Sequence, residues 1–210
     1  MEPAREPASV RLGPGAVQLT AFAREQAAEL LRAVTGILHT SPLRHMETPG
    51  GWRMSVAMSN CGDAGWITDR SGYRYDSIDP DTGNSWPVMP PLFAALAASA
   101  AAAAGYTGFR PDACLINRYA PGARMSLHQD RNERDVSAPI VSVSLGLPAT
   151  FLWGGHRRAE RPVRVPLLHG DVLVWGGVDR LRFHGVHALA TGNHPMTGAV
   201  RYNLTFRKAR

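Results

Sequence analysis

Arg201-Tyr202-Asn203-Leu204-Thr205-Phe206-Arg207 reads as a strand with two unlike faces. Side chains alternate along an extended chain. Tyr202, Leu204 and Phe206 therefore share one face, and Arg201, Asn203, Thr205 and Arg207 the other. The first is an ordinary core face. The second sets two guanidinium groups and an amide in one row. Such a row is either a solvated strand face or a buried one, and burying two like charges is costly unless an anion sits with them. A dicarboxylate suits, because arginine grips carboxylates in a bidentate fork. Upstream, Cys114-Leu115-Ile116-Asn117-Arg118-Tyr119 carries a similar row, Asn117 and Tyr119.

From Asp112 onward the sequence is all-β. Strands are expected at 113–119, 125–130, 139–146, 149–153, 163–168, 171–175, 181–187 and 200–207, separated by Gly, Pro or charged turns. About eight short strands in roughly 100 residues point to a sandwich or jelly roll. Before them, Ala27, Leu30, Leu31, Val34, Ile37 and Leu38 hold the spacing of one buried helix face, with Thr20 as its cap and Ser41-Pro42 as its end. A short strand is expected near 16–19. A second helix starts at Pro90-Pro91 and runs through the alanines to Gly105. Residues 43–88 differ from both: short alternating pieces such as Met54–Met58, broken by Gly and Pro, with Trp52, Trp66, Tyr73, Tyr75 and Trp86 among them. The fold class is mainly β with flanking helices.

Composition narrows the function. The 210 residues are 44% hydrophobic and 19% charged, with 21 Gly and 16 Pro. This excludes a coiled coil, a fibrous repeat and a wholly disordered chain. Lys+Arg 23 against Asp+Glu 17 leaves +6, which favours a polyanionic partner such as nucleic acid; a chain made rich in Ala, Gly and Arg by genomic base composition has the same sign. Two cysteines, Cys61 and Cys114, make no disulfide framework and suit a reducing compartment, the cytoplasm. The N-terminal Met-Glu-Pro-Ala-Arg-Glu-Pro has no apolar core of a secretory signal. The longest apolar run, 92–104, falls short of the roughly 20 residues of a membrane span, so no membrane partner is expected.

Three His-x-Asp/Glu pairs are candidates for metal chemistry: His45-Met46-Glu47, His128-Gln129-Asp130 and His169-Gly170-Asp171. His169-Gly170-Asp171 reads as a tight turn, where alternation fails. His45-Met46-Glu47 lies outside the β region. His128-Gln129-Asp130 ends an expected strand, so its imidazole and carboxylate can reach one ion. A third ligand would come from Leu181-Arg182-Phe183-His184-Gly185-Val186-His187. His184 and His187 are both candidates there, but an odd spacing keeps both from facing inward. Two His and one carboxylate leave one face of an octahedral ion open, the pattern of non-haem Fe(II) oxygenases. A structural zinc site would need more protein ligands.

These residues together carry a resemblance. Thr48-Pro49-Gly50-Gly51, Met54–Gly62, Pro111–Asp130, Ala138–Ala149 and Arg201–Arg207 resemble the AlkB DNA-repair dioxygenases, over nearly the whole chain beyond about residue 13. The resemblance implies a double-stranded β-helix (jelly-roll) core with an N-terminal nucleotide-recognition lid, divided as 1–88 for extension and lid and 89–210 for helix and core. It implies Fe(II) held by His128, Asp130 and His184, with 2-oxoglutarate and O2 as cosubstrates. Arg201, with Tyr119 and Asn203, would hold the far carboxylate of 2-oxoglutarate. Arg207 and Asn117 would lie at the chelating end, and Arg118 and Thr205 belong to the same motifs. Trp66 would stack on a flipped base opposite the His128 ring. Thr48, Met58, Tyr73, Arg74, Tyr75, Asn132, Glu133 and Arg158 would complete the substrate contacts. One position departs from the family pattern: a member carries an acid where this chain has Asn132.

The implied reaction is oxidative dealkylation of bases such as N1-methyladenine and N3-methylcytosine, releasing formaldehyde, succinate and CO2. The implied substrate is alkylated DNA, preferably single-stranded, with double strands and RNA left open, and the enzyme is expected to be a monomer. Two rivals share part of this pattern. A 2-oxoglutarate oxygenase of proteins or small molecules needs the triad and arginines but not Trp66 or Tyr73. A non-catalytic jelly-roll module that binds nucleic acid needs no complete triad.

Overall fold

The computed structural model describes residues 6–210, so part of the N-terminal stretch read above as signal-free lies outside the described residues. The alternation in the sequence becomes a layered structure. A seven-stranded antiparallel sheet contains, in spatial order, β1 (Ala8–Gly13), β2 (Ala16–Thr20), β11 (Val172–Trp175), β8 (Ile140–Gly146), β13 (Arg201–Arg207), β6 (Ala113–Tyr119) and β3 (Ala57–Gly62). A four-stranded sheet contains β10 (Val163–Leu167), β9 (Ala149–Trp153), β12 (His184–Val186) and β7 (Met125–His128). A separate hairpin is made by β4 (Gly65–Asp69) and β5 (Gly72–Asp76). The fold is the jelly-roll core that the sequence implied.

Each strand of the large sheet divides its residues between two environments. Cys114, Ile116, Val141, Val143, Leu145, Val172, Val174, Leu204 and Phe206 form one apolar cluster with the helices α1 (Ala27–Thr40) and α2 (Pro91–Ala103). From α1 this cluster takes Leu30, Val34 and Ile37; from α2 it takes Phe93, Leu96 and Ala97. Burying each such large side chain contributes about 1.5–3 kcal/mol. The opposite face points toward the small sheet. There Leu115, Tyr119, Ile140, Leu173 and Trp175 join Phe151 and Trp153 in a second cluster. The polar residues of that same face, Asn117, Ser142, Arg201, Asn203, Thr205 and Arg207, line a cavity between the sheets.

Several boundaries differ from expectation. Thr20 does not cap α1. It ends β2, and its hydroxyl donates to the carbonyls of Glu6 and Ala8, closing β2 against β1. The helix begins at Ala27 behind Gln26, without a side-chain cap. Strand β1 was not anticipated: its burial is mostly exposed, so no alternation marks it. Strand β7 stops at His128 and β12 covers only 184–186, both shorter than read. Strands β1, β2 and β3, all within the first 88 residues, complete the large sheet rather than standing apart from it. At the start of the hairpin, Gly65 is required by contact: a Cβ there would lie 2.3 Å from the Trp86 ring.

Candidate active site

His128 and His184 face each other across the β7–β12 pair, as directly opposed residues. Their Nε2 atoms lie 3.7 Å from the two oxygens of Asp130. Among the described residues this is the one group of three His, Cys, Asp or Glu side chains whose donor atoms lie within 4.8 Å of each other. The ring orientation is set from behind. His128 Nδ1 is 2.8 Å from the Ser126 carbonyl, and His184 Nδ1 is 3.0 Å from the Arg182 carbonyl. Carbonyls only accept, so each Nδ1 carries the proton and each Nε2 presents its lone pair. Burial, with the neighbouring His184, pulls the His128 pKa down to about 4, so the ring is a neutral ligand at neutral pH. Burial opposes the charge of Asp130, but Arg207 and the two histidines outweigh it and hold the carboxyl well below its usual range. Arg207 donates to Asp130 Oδ2 from Nε at 3.0 Å and from a terminal nitrogen at 2.7 Å. Two imidazoles and one ionised carboxylate on one side of a cavity are the donor set that fits Fe(II).

The other histidines do other work. His187 is exposed, and only His184 faces the cavity, which settles the choice that odd spacing left open. His169-Gly170-Asp171 is the turn expected: Gly170 has φ +87°, His169 Nδ1 accepts from the Gly146 amide at 2.9 Å, and Asp171 accepts from Ala21, Gln18 and Leu168. His45 is exposed and bonded to the Met54 carbonyl.

Behind the metal ligands, Arg201 is a buried cation with unused donors. It is 1% exposed, donates to Ser144 Oγ at 2.9 Å, and lies 5.2 Å above the Tyr119 ring. Its Nε and second terminal nitrogen have no partner, and no carboxylate among the described residues pairs with it. Burial accordingly lowers its pKa, against the pull of Tyr119, and burial pushes the Tyr119 hydroxyl up to about 12. An unpaired buried guanidinium is costly unless an anion completes it. The residues present therefore fit a dicarboxylate such as 2-oxoglutarate. The Asn117 side-chain oxygen, Oδ1, is also buried and unpartnered in this cavity. Asn203 is different: it donates to Ser142 Oγ and the Val143 carbonyl and accepts from Asn117 and Thr205, so it braces the row. Arg118 lies on the other face of β6 from Asn117 and Tyr119 and does not line the cavity.

The expected substrate contacts divide. Trp66 and Tyr73 stack at 5.8 Å with 23° between their planes. Asn60 fixes this pair by bonding both the amide and the carbonyl of Trp66. Trp66 Nε1 is 3.4 Å from Asn132 Oδ1, so the hairpin meets the loop that follows Asp130. Arg74 pairs with Asp69 at 2.8 Å within the hairpin. Thr48 accepts from the Trp52 amide and shapes a turn, and Arg158 is exposed. Met58 is fully buried, in a cluster against which Trp66 packs. Glu133 is also turned inward: its side chain is 1% exposed, and it accepts from Tyr75 at 2.7 Å. Sequence reading missed Arg180, Ser144 and Asn60, because a lone buried polar residue carries no motif. Arg180 is 2% exposed and donates to the carbonyls of Asp130 and Ala138.

Comparison with known proteins agrees with this geometry. The 2OG-Fe(II) oxygenase superfamily model matches residues 15–207. The fold and site thus define an Fe(II)- and 2-oxoglutarate-dependent dioxygenase. The alpha-ketoglutarate-dependent dioxygenase AlkB of Salmonella typhimurium is 58% identical over 198 residues, 94% of this chain and 92% of that protein. Its counterpart in Escherichia coli is 56% identical over 208 residues, 99% of this chain and 94% of that protein. The solved structure of OsALKBH1 covers 96% of this chain and 100% of its own, with TM-score 0.84 and 28% identity. The chain belongs to the AlkB family of dioxygenases.

Proposed function

We propose that the enzyme removes N-alkyl groups oxidatively from nucleobases in DNA, acting preferentially on single strands. The observation that carries this reading is the Trp66–Tyr73 stack, tied to the loop that begins at the iron ligand Asp130. A dioxygenase of small molecules needs no aromatic platform there. A base must leave its stack to reach such a site, which is cheapest in single strands or damaged pairs.

When bound, Fe(II) supplies the redox chemistry that couples conversion of 2-oxoglutarate and O2 to succinate and CO2 with hydroxylation of the alkyl carbon. His128, Asp130 and His184 would hold the metal. Arg201 would bind the far carboxylate, with Tyr119 beside it. Trp66 orients the base, so that the alkyl carbon is the group presented. Closure of the β4–β5 hairpin excludes water from the reacting centre. The hydroxymethyl product releases formaldehyde and the restored base.

The complete triad and the family membership argue against a non-catalytic binding module. No helix among the described residues is long and apolar enough to cross a membrane. We take the enzyme to act as a cytoplasmic monomer on alkylated DNA. The test is formaldehyde release from a methylated single-stranded oligonucleotide with iron and 2-oxoglutarate. Succinate formation that alkylated DNA does not stimulate would point to another substrate.

A further inference from the structure

Glu133 follows Asp130 by three residues, in the loop that also carries Asn132. The family resemblance would make it a substrate contact, but its surroundings give it other work. Its Oε1 accepts from the Tyr75 hydroxyl of β5 at 2.7 Å and lies 3.3 Å from Arg207 Nε. Its Oε2 is 3.1 Å from a terminal nitrogen of Arg180. Arg207 in turn grips Asp130, and Arg180 donates to the Asp130 backbone carbonyl at 2.6 Å. We propose that Glu133 is a latch: a positioning residue that holds the β4–β5 hairpin against the core and, through Arg207 and Arg180, keeps Asp130 aligned for metal binding.

Charge and burial support this role over base recognition. Asp130, Glu133, Arg180 and Arg207 are each 9% exposed or less. Two carboxylates and two guanidinium groups balance, which a buried cluster requires. With 1% of its side chain exposed, Glu133 is too buried to reach a base, and its Oε2, which accepts no hydrogen bond, faces Arg180 at 3.1 Å. Its loop neighbours Arg131, Asn132 and Arg134 are all exposed. Tyr75 supplies the one bond in this cluster that comes from the hairpin. Burial raises its pKa well above the ordinary value, so the hydroxyl remains a donor across the working pH range. Because the hairpin and Arg207 share one carboxylate, lid closure and order at the metal and cosubstrate site must favour each other reciprocally.

The test uses Tyr75→Phe, Glu133→Gln and the double variant in the full chain. Hydrogen exchange of amides 65–76 is measured with a redox-inert divalent metal and 2-oxoglutarate, and Michaelis constants are measured with iron. Each single variant should speed hairpin exchange by roughly tenfold, the effect of one lost charge-assisted hydrogen bond. Each should also raise the 2-oxoglutarate KM, while the double variant exchanges no faster than Glu133→Gln alone, because one bond has been removed twice. Unchanged exchange in both singles, or additive effects, would overturn the latch. So would a Glu133→Gln enzyme with normal exchange but altered lesion preference, which would make Glu133 a reader of the base. Should Glu133→Gln fail to fold, Tyr75→Phe alone decides: unaltered exchange and 2-oxoglutarate KM would refute the proposal. The kinetic arm rests on the dealkylation reading; the exchange arm needs no nucleic acid, so the two can fail separately.

Discussion

The two ends of the active site are built from different material. At the cosubstrate end, Arg201, Asn203 and Arg207 are 1%, 7% and 6% exposed, on the central strand β13. At the base end, Tyr73 is 48% exposed, Trp66 is half-buried and Asn132 is exposed. The inner residues have their partners fixed by strand register on both sides. The outer ones sit on a two-stranded hairpin and a loop. A change inside therefore disturbs both fold and chemistry, whereas a change outside alters what is bound and leaves the scaffold intact. On the proposed function, the interior sets the reaction and the rim the choice of substrate.

The largest effects should come from the ligands. His128→Ala, Asp130→Asn and His184→Ala are expected to abolish turnover and to lose tight metal binding, read by direct metal titration. His187→Ala, at an exposed ring three residues from a ligand, should keep both. Iron retained in His184→Ala but lost in His187→Ala would reverse the assignment. Asp130→Ala is a poorer test, since it leaves Arg207 buried without its partner, at a cost of about 3–5 kcal/mol in stability.

Next comes the unpaired guanidinium. Arg201→Lys retains the charge and loses the fork. A hydrogen bond to a charged group contributes about 1.5–3 kcal/mol, so the 2-oxoglutarate KM should rise at least about tenfold. Oligonucleotide affinity should hardly change, because Arg201 is sealed from the rim. An unaltered KM would take Arg201 out of the cosubstrate site and sever the two ends as drawn.

The same division explains how much the sequence disclosed. Alternation on β13, β6 and β8 is legible because both faces are buried against different layers, so Arg201 and Leu204 announce opposite surroundings. His128 was legible by spacing, although β7 ends there and Asp130 reaches the site from a loop. Thr20 misled because a hydroxyl before an apolar run serves a strand end as well as a helix cap. Glu133 and Met58 show another gap: their positions match a motif, but a sequence does not print their burial. Arg180 carried no signal, since the carbonyls that accept its hydrogen bonds lie 42 and 50 residues away in the chain.

At the rim, Trp66→Ala should weaken lesion binding by roughly tenfold, from a stacking contribution of about 1–3 kcal/mol per base. The melting temperature should stay close to that of the parent chain, because the hairpin keeps its ladder and the Asn60 bonds to backbone. A large fall in melting temperature with lesion affinity intact would move Trp66 into the core and erase the contrast between the two ends.

The smallest expected effect is the sharpest test of the rim. N1-methyladenine and N3-methylcytosine are cationic near neutral pH, whereas N1-methylguanine and N3-methylthymine are not. Asn132 is exposed beside Trp66 and offers an amide oxygen, which can accept from an exocyclic amine but carries no net charge. An acid at this position would favour cationic bases through a charge-assisted bond about twice as strong as a neutral one. Glu133 does not compensate at close range, since Tyr75, Arg207 and Arg180 occupy it. Asn132→Asp should therefore shift the ratio of kcat/KM between one cationic and one neutral lesion toward the cationic base, by about 1–2 kcal/mol. Both lesions belong in the same single-stranded sequence, so that backbone contacts cancel. The new carboxylate can still accept from Trp66 Nε1, which keeps the stacking platform in place. Equal changes on the two substrates, or a shift toward the neutral base, would show that the residue at position 132 shapes the rim without reading the charge of the lesion.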